Sequence, residues 1–127
     1  MITALYAGVL GILYVGLSAF VIRGRWKNRV ILGDGDNQDM IKRIRVHANF
    51  IEYVPLTLIL LFIIEFEGAP AGLIHSLGIA LTVGRIIHPI GILTKSGPSW
   101  GRTGGMMLTF GVLIVASFYA IGSFLGI

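Results

Sequence analysis

Arg45, Asn49, Glu52 and Tyr53 interrupt a segment that is otherwise rich in Val, Ile, Leu and Phe. Offsets of four, seven and eight residues, at 100° per residue, gather these side chains within about a third of a helix circumference. A guanidinium, an amide and a carboxylate thus share one face of an otherwise apolar segment. Ionisable groups inside a bilayer are costly, and they mark functional sites facing a bundle interior or a watery cavity. This stripe is where chemistry is expected.

The rest of the chain must carry the stripe through lipid. The 127 residues are 55% hydrophobic and 13% charged, with a mean hydropathy of +0.87. That is more apolar surface than a water-soluble domain of this size needs. Four apolar segments, at about 2–22, 48–64, 71–93 and 104–125, each approach the roughly 20 residues needed to cross a bilayer core. The expected fold class is all-α, an integral membrane four-helix bundle occupying residues 1–127 as a single domain. The first segment lacks a basic n-region and a small-residue cleavage site, so it reads as a span and not a signal peptide.

A net charge of +4 and a pI near 9.9 raise the possibility of nucleic acid, but the distribution of the charge argues against it. Seven of the ten basic residues lie between Arg23 and Arg45, beside apolar spans. That is a membrane-surface bias, and no nucleic-acid partner is expected. RGRWKNR follows the first span and TKSGPSWGR the third, while EFEGAPAG between the second and third has no Lys or Arg. The positive-inside rule places both basic loops in the cytoplasm and both termini on the non-cytoplasmic side. There is no cysteine, which excludes disulfides, thiolate metal sites and a cysteine nucleophile. Thiol chemistry would need a thiol supplied by a substrate. No two histidines stand at i, i+4, so no metal is expected.

The second helix is predicted to start in the headgroups, with Asp36 as its N-cap and Asp39 three residues on. From Asn37 to Glu65 it would be about 44 Å long at 1.5 Å per residue. Gly122 and Gly126, the earlier Gly104, Gly105 and Gly111, and Ala4, Gly8, Gly11 and Gly16 in the first span are predicted to let helices pack closely.

Depth sharpens the picture. Glu52 lies about 20 Å from the Glu65 end of its helix, and Arg85 about 21 Å from Ala71 on the next. Opposite charges at one level predict an ion pair that offsets the cost of burying either. Pro55 and Pro89 free the carbonyls of Ile51 and Arg85 near this level. His88, one turn beyond Arg85, can line the same polar cleft. His47 is expected among headgroups and His75 at the opposite interface. Tyr53 can donate into the site or serve as a wall. The cleft suits two reactants: a small anionic molecule carrying an ammonium group from water, and an apolar one from the membrane.

The string RVHANFIEYVP resembles the signature of the MAPEG family, membrane-associated proteins in eicosanoid and glutathione metabolism. The similarity continues through the basic loop after the first span, VGRIIHP in the third, and the basic loop before the fourth. It implies a homotrimer holding glutathione as co-substrate between adjacent subunits. Arg45, Asn49, Glu52 and Tyr53 would contact the tripeptide, Arg85 and His88 would line the same site, and Arg25 would reach a neighbour's. Arg102 resembles the arginine that stabilises the glutathione thiolate. Ile92 stands where some members have tyrosine, which weakens assignment to the leukotriene synthase branch.

The implied activity is that of a glutathione transferase/peroxidase on a lipophilic electrophile or hydroperoxide. The implied location is a bacterial inner membrane, with membrane lipid as a partner and the site open to the cytoplasm. The alternative is a non-catalytic glutathione- or lipid-binding protein of the same fold. A small four-span exporter is disfavoured because its first span would need a carboxylate, and this one has none.

Overall fold

The computed structural model describes residues 1–94, 97 and 99–127; Lys95 of the second basic loop lies outside them. The chain forms α1 (Thr3–Asn28), α2 (Gln38–Phe66), α3 (Ala71–Thr94) and α4 (Trp100–Leu125). Each is long and apolar enough to cross a membrane. The helices outrun the apolar spans read from sequence, chiefly at their basic ends, because charged first and last turns continue the backbone ladder into the headgroup zone.

Among the described residues the backbones of α1 and α4 do not approach each other, while α2 and α3 each approach every other helix. The bundle is therefore a rhombus with α2 and α3 on its short diagonal. Leu61, Ile64, Ile74 and Leu81 are fully buried there. Large apolar side chains such as Ile12, Phe66, Ile90 and Phe118 point outward, as lipid-facing surfaces require.

The ends of the helices explain the turns. Asn37, not Asp36, caps α2: its side chain accepts from the Met40 amide at 3.1 Å. Asn37 has the extended backbone of a cap (φ −94°, ψ 119°), whereas Asp36 sits one residue outside, at φ 55°, where its side chain cannot reach the first turn. Asp39 instead accepts from Asn28 at 2.9 Å and from Arg43 at 3.0 Å, tying the end of α1 to α2. At the other end of α2, Gly68 takes φ 91° and the Ala69 amide bonds back to the Ile64 carbonyl, a Schellman closure that needs glycine. Helix α1 has no capping side chain of its own. The Glu65 carboxylate of α2 supplies the acceptors, bonding the Ile2 and Thr3 amides.

Glycine packing follows the prediction at Gly105 but not in α1. A Cβ at Gly105 would lie 2.6 Å from the Gly84 carbonyl oxygen, and one at Gly101 would lie 3.0 Å from that of Ile87. These residues, with Gly84 and Gly91, let α3 and α4 touch backbone to backbone. By contrast, Gly8, Gly11, Gly16 and Gly111 meet nothing within 4 Å and face outward. Gly126 serves as the left-handed C-cap of α4 (φ 72°), a local backbone role and not a helix contact.

Candidate functional site

The site starts from the depth of Arg85 on the most buried helix. Arg85 is 1% exposed and His88 3%, one turn apart on the same face as expected. The Arg85 guanidinium donates from Nη1 to Asn49 Oδ1 at 2.9 Å. From Nη2 it donates to Thr109 Oγ1 at 2.6 Å and to the Gly105 carbonyl at 3.4 Å. It therefore links α2, α3 and α4 through neutral acceptors.

A cavity of about 250 Å3 opens beside this link, lined by Arg45 and Asn49 of α2, His88 and Ile92 of α3, and Arg102 of α4, with Lys42 at its side. The seam between α3 and α4 places Arg102. Ser99 Oγ accepts from the Arg102 amide at 3.2 Å and donates to the Gly91 carbonyl at 2.9 Å. This fixes the start of α4 against the end of α3. Arg45, Asn49, His88 and Arg102, read from sequence as site residues, thus share one cavity, and Arg85 braces it from behind. No carboxylate lines it among the described residues.

The predicted Glu52–Arg85 ion pair is not formed. Glu52 lies on an exposed face of α2, where its Oε1 accepts from Arg45 Nη1 at 3.4 Å; both side chains are about half exposed, at 45% and 57%. The two residues do share a level, but rotation of α2 about its axis carries Asn49 inward and Glu52 outward. The cavity is therefore not floored by Glu52.

Tyr53 is half-buried and does not line the cavity; it faces α4, its ring edge-on to Phe110 at 5.5 Å and 6.0 Å from the Arg85 guanidinium carbon. Arg25 lies outside the cavity, holding its own turn by donating to the Gly33 carbonyl at 2.9 Å. His47 is not left free to solvent: it stacks on Tyr14 at 5.0 Å and pairs through Nε2 with Ser18 Oγ at 3.1 Å, bonding α1 to α2. His75, at the opposite end, pairs with the Tyr6 hydroxyl at 2.8 Å.

Thr109 was missed from sequence. It is fully buried and accepts the shortest bond that Arg85 makes. The signal was available: Thr109 is nine residues into α4 and Arg85 nine residues before the end of α3, which places both about 14 Å from the same end.

Comparison with known proteins agrees with this architecture. The MAPEG family model matches residues 3–122. Inner membrane protein YecN of Escherichia coli strain K12 is 35% identical over 115 residues, covering 91% of this chain and 86% of YecN. YecN of Escherichia coli O6:H1 matches to the same extent. A family match over nearly the whole chain, on four helices each able to cross a membrane, identifies the protein as a member of the MAPEG family.

Proposed function

We propose that the chain is a glutathione-dependent membrane transferase, acting on lipophilic electrophiles and, as a peroxidase, on lipid hydroperoxides. The observation that carries this reading is the cation-lined cavity with no carboxylate of its own, in a MAPEG-family chain. Glutathione carries two carboxylates, an ammonium and a thiol, and the lining residues suit it. Arg45 presents a guanidinium to a carboxylate. Arg85 occupies Asn49 Oδ1, so Asn49 turns its amide N–H donors toward the ligand. Glu52, beside Arg45 on the outer face of α2, meets the ammonium at a seam with a second subunit of a homotrimer, to which a neighbour's Arg25 also contributes. His88 completes the wall, and Tyr53, one position beyond Glu52 on α2, offers its hydroxyl to the ligand from outside the cavity lining.

The chemistry follows from Arg102. Thiols ionise near pH 8.5 in water, and a guanidinium beside the sulfur favours the thiolate, which is the nucleophile. The thiolate attacks the electrophilic carbon, a C–S bond forms, and the leaving group departs with the bonding electrons. With a hydroperoxide, sulfur takes the terminal oxygen and releases an alcohol. A second glutathione then condenses with the sulfenic acid, giving the disulfide and water. The apolar reactant arrives through the bilayer. The four apolar helices and the inner-membrane relative support a bacterial inner membrane location; the basic loops, by the positive-inside rule, are the ground for opening the cavity to the cytoplasm.

The test is heat denaturation of the detergent-purified protein with glutathione and with S-alkyl glutathiones, alongside turnover of an electrophile panel. Protection by both ligands together with conjugation is expected. Glutathione that neither binds nor protects overturns the reading, and binding without any turnover replaces it with a non-catalytic glutathione-binding role.

A further inference from the structure

The turn between α1 and α2 has features that, Arg25 apart, the glutathione reading does not use. Residues Ile22, Arg25, Trp26, Arg29, Val30 and Ile31 line a second depression of about 510 Å3, which shares no residue with the cation-lined cavity. Trp26 is 83% exposed, Ile31 95% and Leu32 88%. Large apolar side chains held in water are unfavourable, but at the boundary between headgroups and acyl chains they insert.

These side chains are held out by a built turn. Arg29 closes α1 in the left-handed region at φ 54°, and the Val30 amide bonds back to the Arg25 carbonyl at 3.0 Å. Arg25 commits Nη1 to the Gly33 carbonyl at 2.9 Å. Gly35, at φ 60°, passes so close beneath Val30 that a Cβ there would lie 2.9 Å from Val30 Cγ2. The turn therefore presents Val30 and Ile31 on one fixed surface.

The charged residues that line this depression, Arg25 and Arg29, are both cations. Arg23, Arg25, Lys27 and Arg29 fall within seven residues, and the next carboxylate in the chain is Asp34. A cluster of four cations at the end of a lipid-crossing helix attracts anionic headgroups. Inorganic phosphate matches the charge but not the apolar wall, and a zwitterionic lipid brings a cation of its own toward the arginines. An anionic phospholipid matches both.

We propose that the α1–α2 turn is a binding site for one anionic phospholipid, its phosphate on Arg29 and its acyl chain against Ile22, Val30 and Ile31. Apart from Arg25, the site uses no residue of the glutathione reading.

The test incorporates the full chain into bilayer discs with equal mole fractions of phosphatidylglycerol and phosphatidylcholine, and measures retained lipid by native mass spectrometry. The wild-type protein is expected to favour phosphatidylglycerol by about fivefold, the size of one cation's attraction to an anionic headgroup. The preference should fall to parity in Arg29→Gln and in Ile31→Ser, and persist in Ile63→Ser on the lipid-facing side of α2. In the wild-type protein it should also shrink as salt is raised, because these cations are exposed. Equal retention of the two lipids by the wild type overturns the proposal. So does a preference that survives both turn substitutions, or one insensitive to salt. Displacement of the lipid by millimolar inorganic phosphate would mean a phosphate site instead. A changed oligomeric state in Ile31→Ser would mean the turn packs on a second subunit instead.

Discussion

The two ends of the bundle handle polar groups in opposite ways. At the end holding the chain termini, several polar side chains close on distant parts of the protein. Glu65 bonds the Ile2 and Thr3 amides, Glu67 accepts from Ser123 at 3.2 Å, and Tyr6 pairs with His75. At the basic end, Arg45 and Arg102 instead converge on an open cavity. The nearby carboxylates are turned elsewhere, Asp39 to Asn28 and Arg43 and Glu52 to the outer surface. Closed pairs hold helices together, whereas like charges gathered on a cavity are destabilising unless a ligand of opposite sign enters. The contrast separates scaffold from site on physical grounds.

Substitutions at the two ends should therefore have different consequences. The largest effect is expected at Arg102: removing a positioned charge at the sulfur should lower turnover by about 10²- to 10³-fold. Thermal stability should barely move, since the side chain is exposed. Next is the seam that places Arg102. Gly105→Ala would press a methyl against the Gly84 carbonyl and His88 at 2.6 Å, costing about 1–3 kcal/mol in denaturation experiments. Gly111→Ala, with nothing within 4 Å, should change stability by less than about 0.5 kcal/mol. Equal effects at the two glycines would dissolve the distinction between seam and lipid face.

Thr109→Val removes the acceptor 2.6 Å from Arg85 Nη2 while keeping the side chain's shape. A loss of about 1–3 kcal/mol is expected for the stranded donor, together with weaker glutathione binding as Asn49 loses its brace; Thr109→Ser should restore both. The smallest effects compare two carboxylates. Glu65→Gln should cost about 1 kcal/mol of stability and leave glutathione affinity alone. Glu52→Gln should do the reverse, because its exposed pair with Arg45 contributes at most about 1 kcal/mol. Unchanged glutathione affinity in Glu52→Gln would remove that residue from the site.

Much of this was legible in the sequence because rise per residue is fixed. Hydropathy located four helices, and α2 was read as 37–65 against an observed Gln38–Phe66. The shared face of Arg85 and His88 followed from one-turn spacing. Rotation of each helix about its own axis was not legible, because interhelix packing decides it. Arg85 therefore met Asn49 and Thr109 where Glu52 was expected. The same ambiguity hid which glycines face a helix, with Gly84 and Gly105 in the seam but Gly8 and Gly11 on the outside. The cap at Asn37 in place of Asp36 turned on one left-handed residue, which composition alone does not reveal. The Glu65 cap on α1 joins positions more than sixty residues apart, beyond any local pattern.

The central claim is that the cations at the basic end bind glutathione and ionise its thiol. The most direct measurement is the ultraviolet thiolate absorbance of glutathione titrated into purified protein near neutral pH, compared with Arg102→Ala. The account predicts a saturable thiolate signal in the wild-type protein, lost in the variant while the helices remain folded. Bound glutathione with no thiolate signal, or an equal signal in both proteins, would contradict it.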